Sequence, residues 1–412
     1  MAMPPVLDAA AAAALAPPGS RIYLGGCAGE PLAVLAAVRA EPDLWRGVTL
    51  TGAFIPGVND ADYSGIGLDT RVETIFATQG LRTPAGTEAH LPLHYSQFWG
   101  RLRQRGLVDL VDVTVAPPRA DGTVGLGIAG DFAPAPLAAG AGLIGIVNPN
   151  MPDVANGPRL PLHRFAGLVE ASDRLPTYYS GPVSDDLRRI AGHVLGLIRQ
   201  GDTLQLGLGK GQTAVLEALS GASLAGSSLS GLGLHAGMIS PAILEPLRRG
   251  VFSRGVVTGV AMGDAGFYAA LAGLAQVRFA PVGHTHDPVV LAGISQLVSI
   301  NSVLEIDLSG QANAEAIGGK QVSRQGGLVD FHRQARSAVL MLGSVARGGA
   351  SSRIVPHLAP GTPVSVSRAD VDIVVTEHGV ARLRGLSLAE RAEALIRIAD
   401  PRHQAWLREA AR

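Results

Sequence analysis

Hydrophobic positions along the chain come in two rhythms that alternate. Short runs of period two or of continuous apolar character predict strands at Arg21–Gly25, Val48–Ala53, Leu110–Ala116 and Leu143–Val147. The first closes on a Gly-Gly pair, the third stops at Pro117–Pro118, and the fourth ends in the turn-rich Asn148–Pro152. Between them the pattern predicts helices at Leu7–Leu15, at Pro31–Arg39 with proline in the first turn, and at Tyr95–Gln104. Residues 55–90 hold many Gly, Asp and Thr with little periodicity and are expected to be mostly loop.

A Pro-rich, polar stretch over residues 153–183 breaks the rhythm and sets a boundary near 180. Beyond it a helix is predicted from Ser184 to Arg199, capped by Ser184 with Asp185 and Asp186 in its first turn. Thr203–Leu206 reads as a strand running into GLGKG (207–211), followed by a helix at Thr213–Leu219. Further strands are expected at Gly255–Ala261, Val277–Ala280, Val298–Asn301, Val339–Leu342 and Ile373–Thr376. Ser387 and Glu390 have capping-box spacing and open a last helix to Ile398. Strand–helix alternation of this kind predicts an α/β fold with mainly parallel sheets covered on both faces. Domains are expected at 1–180 and 181–412.

Composition narrows the partners. The 412 residues are 47% hydrophobic, enough for a large core, and formal net charge is zero. Without a basic stripe, nucleic acid is not an expected partner. Cys27 is the single cysteine, so no disulfide forms within the chain and a four-cysteine metal site is excluded. That usage fits a reducing, cytoplasmic setting. The Ala-rich start lacks a basic segment and carries Asp8, unlike a signal peptide. No membrane span is expected.

Candidate chemistry concentrates between Ser299 and Phe331. Alternation places Glu305 and Asp307 on one side of a strand, and the Gly318–Gly319 and Gly326–Gly327 pairs follow. These carboxylates either contact a ligand or bond backbone at a strand end. GLGKG lies between a strand and a helix, where backbone N–H groups attract anions, but it lacks GKS or GKT and is no Walker loop. The alternative for it is a tight turn. His284, His286 and Asp287 lack a completing ligand, so no metal site is expected. His235 is either a base or a satisfied core histidine. There is no GxSxG elbow, and Cys27 has no helper in sequence.

Taken together, VNPNMP (147–152), LQLGLG (204–209), NSVLEIDLSGQANAEAIGG (301–319), GGLVDF (326–331), SRIVP (352–356) and RADVDIVVTEHGVARLRG (368–385) resemble the acetyl-CoA hydrolase/transferase family. The resemblance runs from about Gly19 to Arg408. It implies two open CoA-transferase-like α/β domains with the acyl-CoA site between them, and a coenzyme A thioester as substrate with no permanent cofactor. It also implies a small carboxylate as second substrate and a homodimer or homotetramer. In that family a glutamate within a His-Thr-Glu-Met stretch attacks the thioester. Here the stretch reads His235-Ala236-Gly237-Met238, with glycine where the glutamate would stand. The resemblance places Gly207, Leu208, Gly209, Lys210 and Gly211 in the CoA-contacting loop and Asn301 and Gly326 along the acyl-CoA site. It makes Arg347 a cation that meets CoA.

Three readings follow from the missing carboxylate. One is a transferase with a relocated acid, Glu30 or else Asp60 or Asp62. Another is a thioester hydrolase using water, with His235 or Glu305 as base. The third is a non-catalytic CoA-binding homologue or partner subunit. Lys210 and Arg324 beside the acyl site suggest a group bearing a second carboxylate.

Overall fold

The structure, a computed structural model, describes residues 3–59, 61–76, 88–224, 229–318, 320–323 and 325–412. The chain forms two compact units. One comprises Met1–Tyr179 and Val257–Asp287, the other Ser180–Val256 and Pro288–Arg412.

In the first unit the strands are β1 (Val6–Leu7), β2 (Arg21–Leu24), β3 (Thr49–Gly52), β4 (Arg71–Thr74), β5 (Glu88–His90), β6 (Leu110–Val115), β7 (Gly142–Val147) and β8 (Gly167–Glu170). They form one parallel sheet in the order β1-β8-β7-β6-β2-β3-β4-β5. One face packs Ile22, Leu24, Leu50 and Ile144 under helices α1 (Ala9–Ala13) and α2 (Leu32–Ala40). The other packs Tyr23, Val111, Val113 and Leu143 with Phe98 and Phe132. Burial on both faces explains why β6 is apolar throughout, apart from Asp112 and Thr114. Residues 257–287 bond within this unit, through Ala261 N to Ile128 O (3.0 Å) and Val282 N to Asp131 O (2.8 Å).

One expectation is corrected here and another gains detail. The N-terminal helix is shorter than predicted, because Val6–Leu7 pairs with β8 and Asp8 Oδ1 caps α1 by accepting from Ala11 N at 2.7 Å. The described part of the 55–90 stretch is mostly loop, as expected, but Arg71–Thr74 and Glu88–His90 are short strands that extend the sheet. Glu73 there meets Arg21 (2.9 Å) and Arg101 (2.8 Å), so its polar residues serve a paired strand face.

The second unit holds β9 (Thr203–Leu206), β10 (Gly233–Ile239), β11 (Leu297–Ser302), β12 (Ser337–Met341), β13 (Ile373–Thr376) and β14 (Gly379–Arg382). Their order is β10-β9-β11-β12-β13-β14, parallel except for the last hairpin. Strand β10 was not expected, since its glycines interrupt the apolar pattern. Helix α3 (Asp185–Leu195) has Ser184 as its cap. Helix α4 (Lys210–Leu224) begins three residues earlier than predicted, directly from the GLGKG turn. Among the described residues no helix is long and apolar enough to cross a membrane.

Candidate active site

Ligands of open α/β sheets meet the carboxyl ends of parallel strands. In the second unit that edge is built from β10, β9, β11, β12 and β13. Register decides which side chains share a face. Thr203 pairs with Gly233, and Gln205 with Ser299. Stepping by two along each strand puts His235 and Gly237 on the same face as Gln205, Ser299 and Asn301.

Three of these residues lock together. Gln205 Oε1 accepts from Ser299 Oγ (2.7 Å) and from Asn301 Nδ2 (2.8 Å). Asn301 Nδ2 also donates to Ser299 Oγ (2.9 Å). All three are buried and mutually satisfied, so the Asn301 side chain is held in one orientation at the strand end. Gly207, one step past β9, comes level with Asn301. A Cβ there would lie 3.3 Å from Asn301 Oδ1. Gly237 comes level with Gly207 on the neighbouring strand. Two adjacent positions on this face therefore carry no side chain, beside a fixed amide and His235. The His235 ring packs edge-on to Phe331, with centroids 6.3 Å apart.

The loop above this notch turns at Gly209, whose φ of +122° favours glycine. It delivers the chain into α4, whose first N–H groups have no carbonyl of their own helix to bond. Gln212 ties the loop to β11: its nitrogen donates to Leu208 O (2.9 Å) and its oxygen accepts from Ser302 N (3.2 Å). Gly211 packs closely on β11, where a Cβ would stand 3.1 Å from Ser302 Oγ. Lys210 is exposed and leans across Gly181, where a Cβ would lie 3.0 Å from its Cε.

The other expected residues fall as follows. Asn301 and Gly207–Gly211 share the carboxyl edge. Gly326 is buried with a φ of +53° at the turn before Leu328–Gln334, the helix that carries Phe331. Glu305 begins a short strand three residues past β11 and is half-buried. Burial raises its pKa above the usual carboxylate value, Asn313 lowers it, and Asp307 raises it further. Asp307 accepts from Ser309 N, Gln311 N and Gln311 Nε2, closing a turn, so its role is structural. Arg347 lies in a short 3-10 turn. Asp60 and Arg324 lie outside the described residues.

Glu30 belongs to the first unit and is buried there. It accepts from Asn59 Nδ2 (2.9 Å) and from the Tyr63 hydroxyl. Asn59 also brackets Cys27, donating to Cys27 O and accepting from Cys27 N, which holds Cys27 at a φ of +52°. Burial first, then Asp131 and Glu30, push the Cys27 thiol well above its ordinary pKa, so it is a poor nucleophile. Asp62 accepts from Ser64 Oγ and Gly65 N in an exposed turn.

Sequence reasoning passed over Gln205, Ser299 and Glu377. Glu377 follows β13 and is buried, accepting from Ser344 N (2.9 Å) and Ser344 Oγ (2.6 Å) at the same edge. With β10 and β13 four strands apart, roughly 4.8 Å per strand keeps Glu377 about 19 Å from Gly237. It is no substitute for a side chain at 237. Its signal was present in TEHG, but nothing local says that the acid turns inward.

Comparison with known proteins gives the family. Residues 263–411 match the acetyl-CoA hydrolase/transferase C-terminal domain. The chain is 30% identical over 399 residues to 4-hydroxybutyrate coenzyme A transferase of Clostridium kluyveri, covering 93% of this chain and 91% of that protein. The crystal structure of RipA from Yersinia pestis superposes with a TM-score of 0.90 at 25% identity, covering 99% of this chain and 97% of the other. That of 4-hydroxybutyrate CoA-transferase from Porphyromonas gingivalis gives 0.79 at 28% identity, covering 98% and 96%. The chain belongs to the acetyl-CoA hydrolase/transferase family and is an enzyme of that family.

Proposed function

We propose that the protein moves coenzyme A from an acyl-CoA thioester to a carboxylate acceptor, and that the acceptor attacks directly. The observation that carries this is the notch at Gly237 and Gly207. Its walls among the described residues, His235, Gln205 and Asn301, include no carboxylate and no thiol. The loop from Gly207 to Gly211 and the start of α4 suit the anionic part of coenzyme A, with Lys210 as a mobile cation. Asn301 and Gly326 suit the thioester end, and Arg347 a second contact to coenzyme A.

The steps balance as follows. An acceptor carboxylate oxygen attacks the thioester carbonyl, the C–S bond breaks, and coenzyme A leaves as thiolate. The mixed anhydride then receives that thiolate at the acceptor-derived carbonyl. Its C–O bond breaks and the original acyl group departs as carboxylate. Positioning two reactants side by side supplies much of the rate in such a step.

The test is a single turnover with an ¹⁸O-labelled acceptor. Direct attack delivers one label to the released acid and leaves no coenzyme A on the protein by mass spectrometry. A protein-bound coenzyme A adduct would instead mark an enzyme carboxylate, and Glu30 and Glu305 are the first positions to map.

A second reading rests on His235, which stands on the same face two residues before Gly237. With water in the notch and His235 or Glu305 as base, the outcome is hydrolysis, seen as acid and free coenzyme A without any acceptor. The buried single cysteine supports a cytoplasmic location, and a homodimer or homotetramer is the expected assembly.

A further inference from the structure

The amino edge of the second sheet carries a separate feature. A cavity of about 220 Å³ is lined by His332, Arg333, Asp370, Val371, Arg384 and Arg391 among others. It lies where the chain enters β13 and leaves β14, so it is at the end of the sheet opposite the notch. The volume is far beyond what one water needs.

Three arginines and one carboxylate, Asp370, line the cavity, and a second carboxylate, Asp372, pairs with one of those arginines. Arg333 pairs with Asp370 at 3.1 Å, and Arg384 with the buried Asp372 at 3.1 Å, which leaves Arg391 as the surplus cation. Arg391 bonds only carbonyl oxygens, those of Arg368 (2.6 Å), Leu386 and Ser309 (both 3.4 Å). It meets no carboxylate among the described residues. His332 is 2% exposed, and neither ring nitrogen has a hydrogen-bond partner among the described residues. Asp370 and Arg384 both act electrostatically on it. A buried imidazole without partners beside surplus positive charge is a site short of an anion.

We infer that this cavity binds a phosphoryl group, held by the forks of Arg391, Arg384 and Arg333 with His332 behind them. Planar guanidinium donors match phosphate oxygens in pairs. Free phosphate and the phosphate of a nucleotide share this chemistry.

Titration of the whole protein with inorganic phosphate tests it, followed by the His332 imidazole NMR signals, assigned from their loss in His332→Gln. Saturable movement of those signals is expected. Arg391→Lys keeps the charge and loses the fork, so it weakens binding about tenfold. Arg188→Ala, on an exposed helix face, changes nothing. Adenosine 3′,5′-bisphosphate in a parallel titration separates the sources. Equal affinity supports a phosphoryl site alone, and tighter binding supports a nucleotide site. Absence of saturable movement with phosphate would overturn the inference, as would equal binding by Arg391→Lys. Thermal shift of each variant without ligand confirms that it folds.

Discussion

The two sheets treat buried polar groups on their central strands in opposite ways. In the second unit Gln205, Ser299 and Asn301 satisfy one another across two strands, next to the notch. In the first unit Asp112, on β6, is 1% exposed and neither carboxyl oxygen has a partner among the described residues. It sits on the face shared by Leu24, Leu110 and Ile144. Burial alone pushes its pKa up to about 8, so it is held neutral in neutral solution. The same kind of strand position is a tool in one sheet and a cost in the other, and hydrogen bonding decides which.

Breaking the satisfied network is expected to have the largest effect. Asn301→Ala takes the acceptor from the buried Gln205 Nε2 and one of the contacts at Gln205 Oε1 and Ser299 Oγ, at about 1–3 kcal/mol for the stranded amide. Chemical denaturation should show that loss, and turnover of acyl-CoA should fall with it. If stability is unchanged, the network is not what holds the strand ends.

Relieving the unsatisfied acid comes next, with the opposite sign. Asp112→Leu is expected to raise stability by about 1–2 kcal/mol at neutral pH. The folded pKa is raised above the unfolded value, so the stability tied to this proton is complete below about pH 4 and is lost as pH climbs towards 8. Asp131, raised by burial to about 7, works in the same direction. Denaturation midpoints from pH 4 to 8 should fall less steeply in Asp112→Leu than in the parent. A parallel pair of curves would mean that Asp112 finds a partner in solution.

Filling the notch is the subtlest change. Gly207→Ala puts a methyl group 3.3 Å from Asn301 Oδ1, a tight contact expected to cost about 1 kcal/mol or less. Its mark should be on the KM for the acceptor rather than on folding. An equal rise in KM for the acyl-CoA would place the acceptor elsewhere.

Legibility followed locality. The Ser184 cap and the Ser387–Glu390 capping box need only neighbours in sequence, and both were readable. So were β6 and β7, whose runs announce burial on two faces. By contrast, β10 was hidden because Gly233 and Gly237 remove the apolar signal that a strand there would show. Glu305 and Asp307 were read as a pair. Asp307 serves its own turn while Glu305 stays half-buried, a split that depends on which one meets Gln311.

What the chain determined by itself was the order of strands and helices, their caps, and the family, because each rests on short-range pattern or on residue identity. Tertiary structure alone decided that Gln205 meets Ser299, 94 residues away, and that two glycines from different strands fall side by side. Pairing over such separations is set by sheet register, and register is a property of the assembled sheet that no single segment carries.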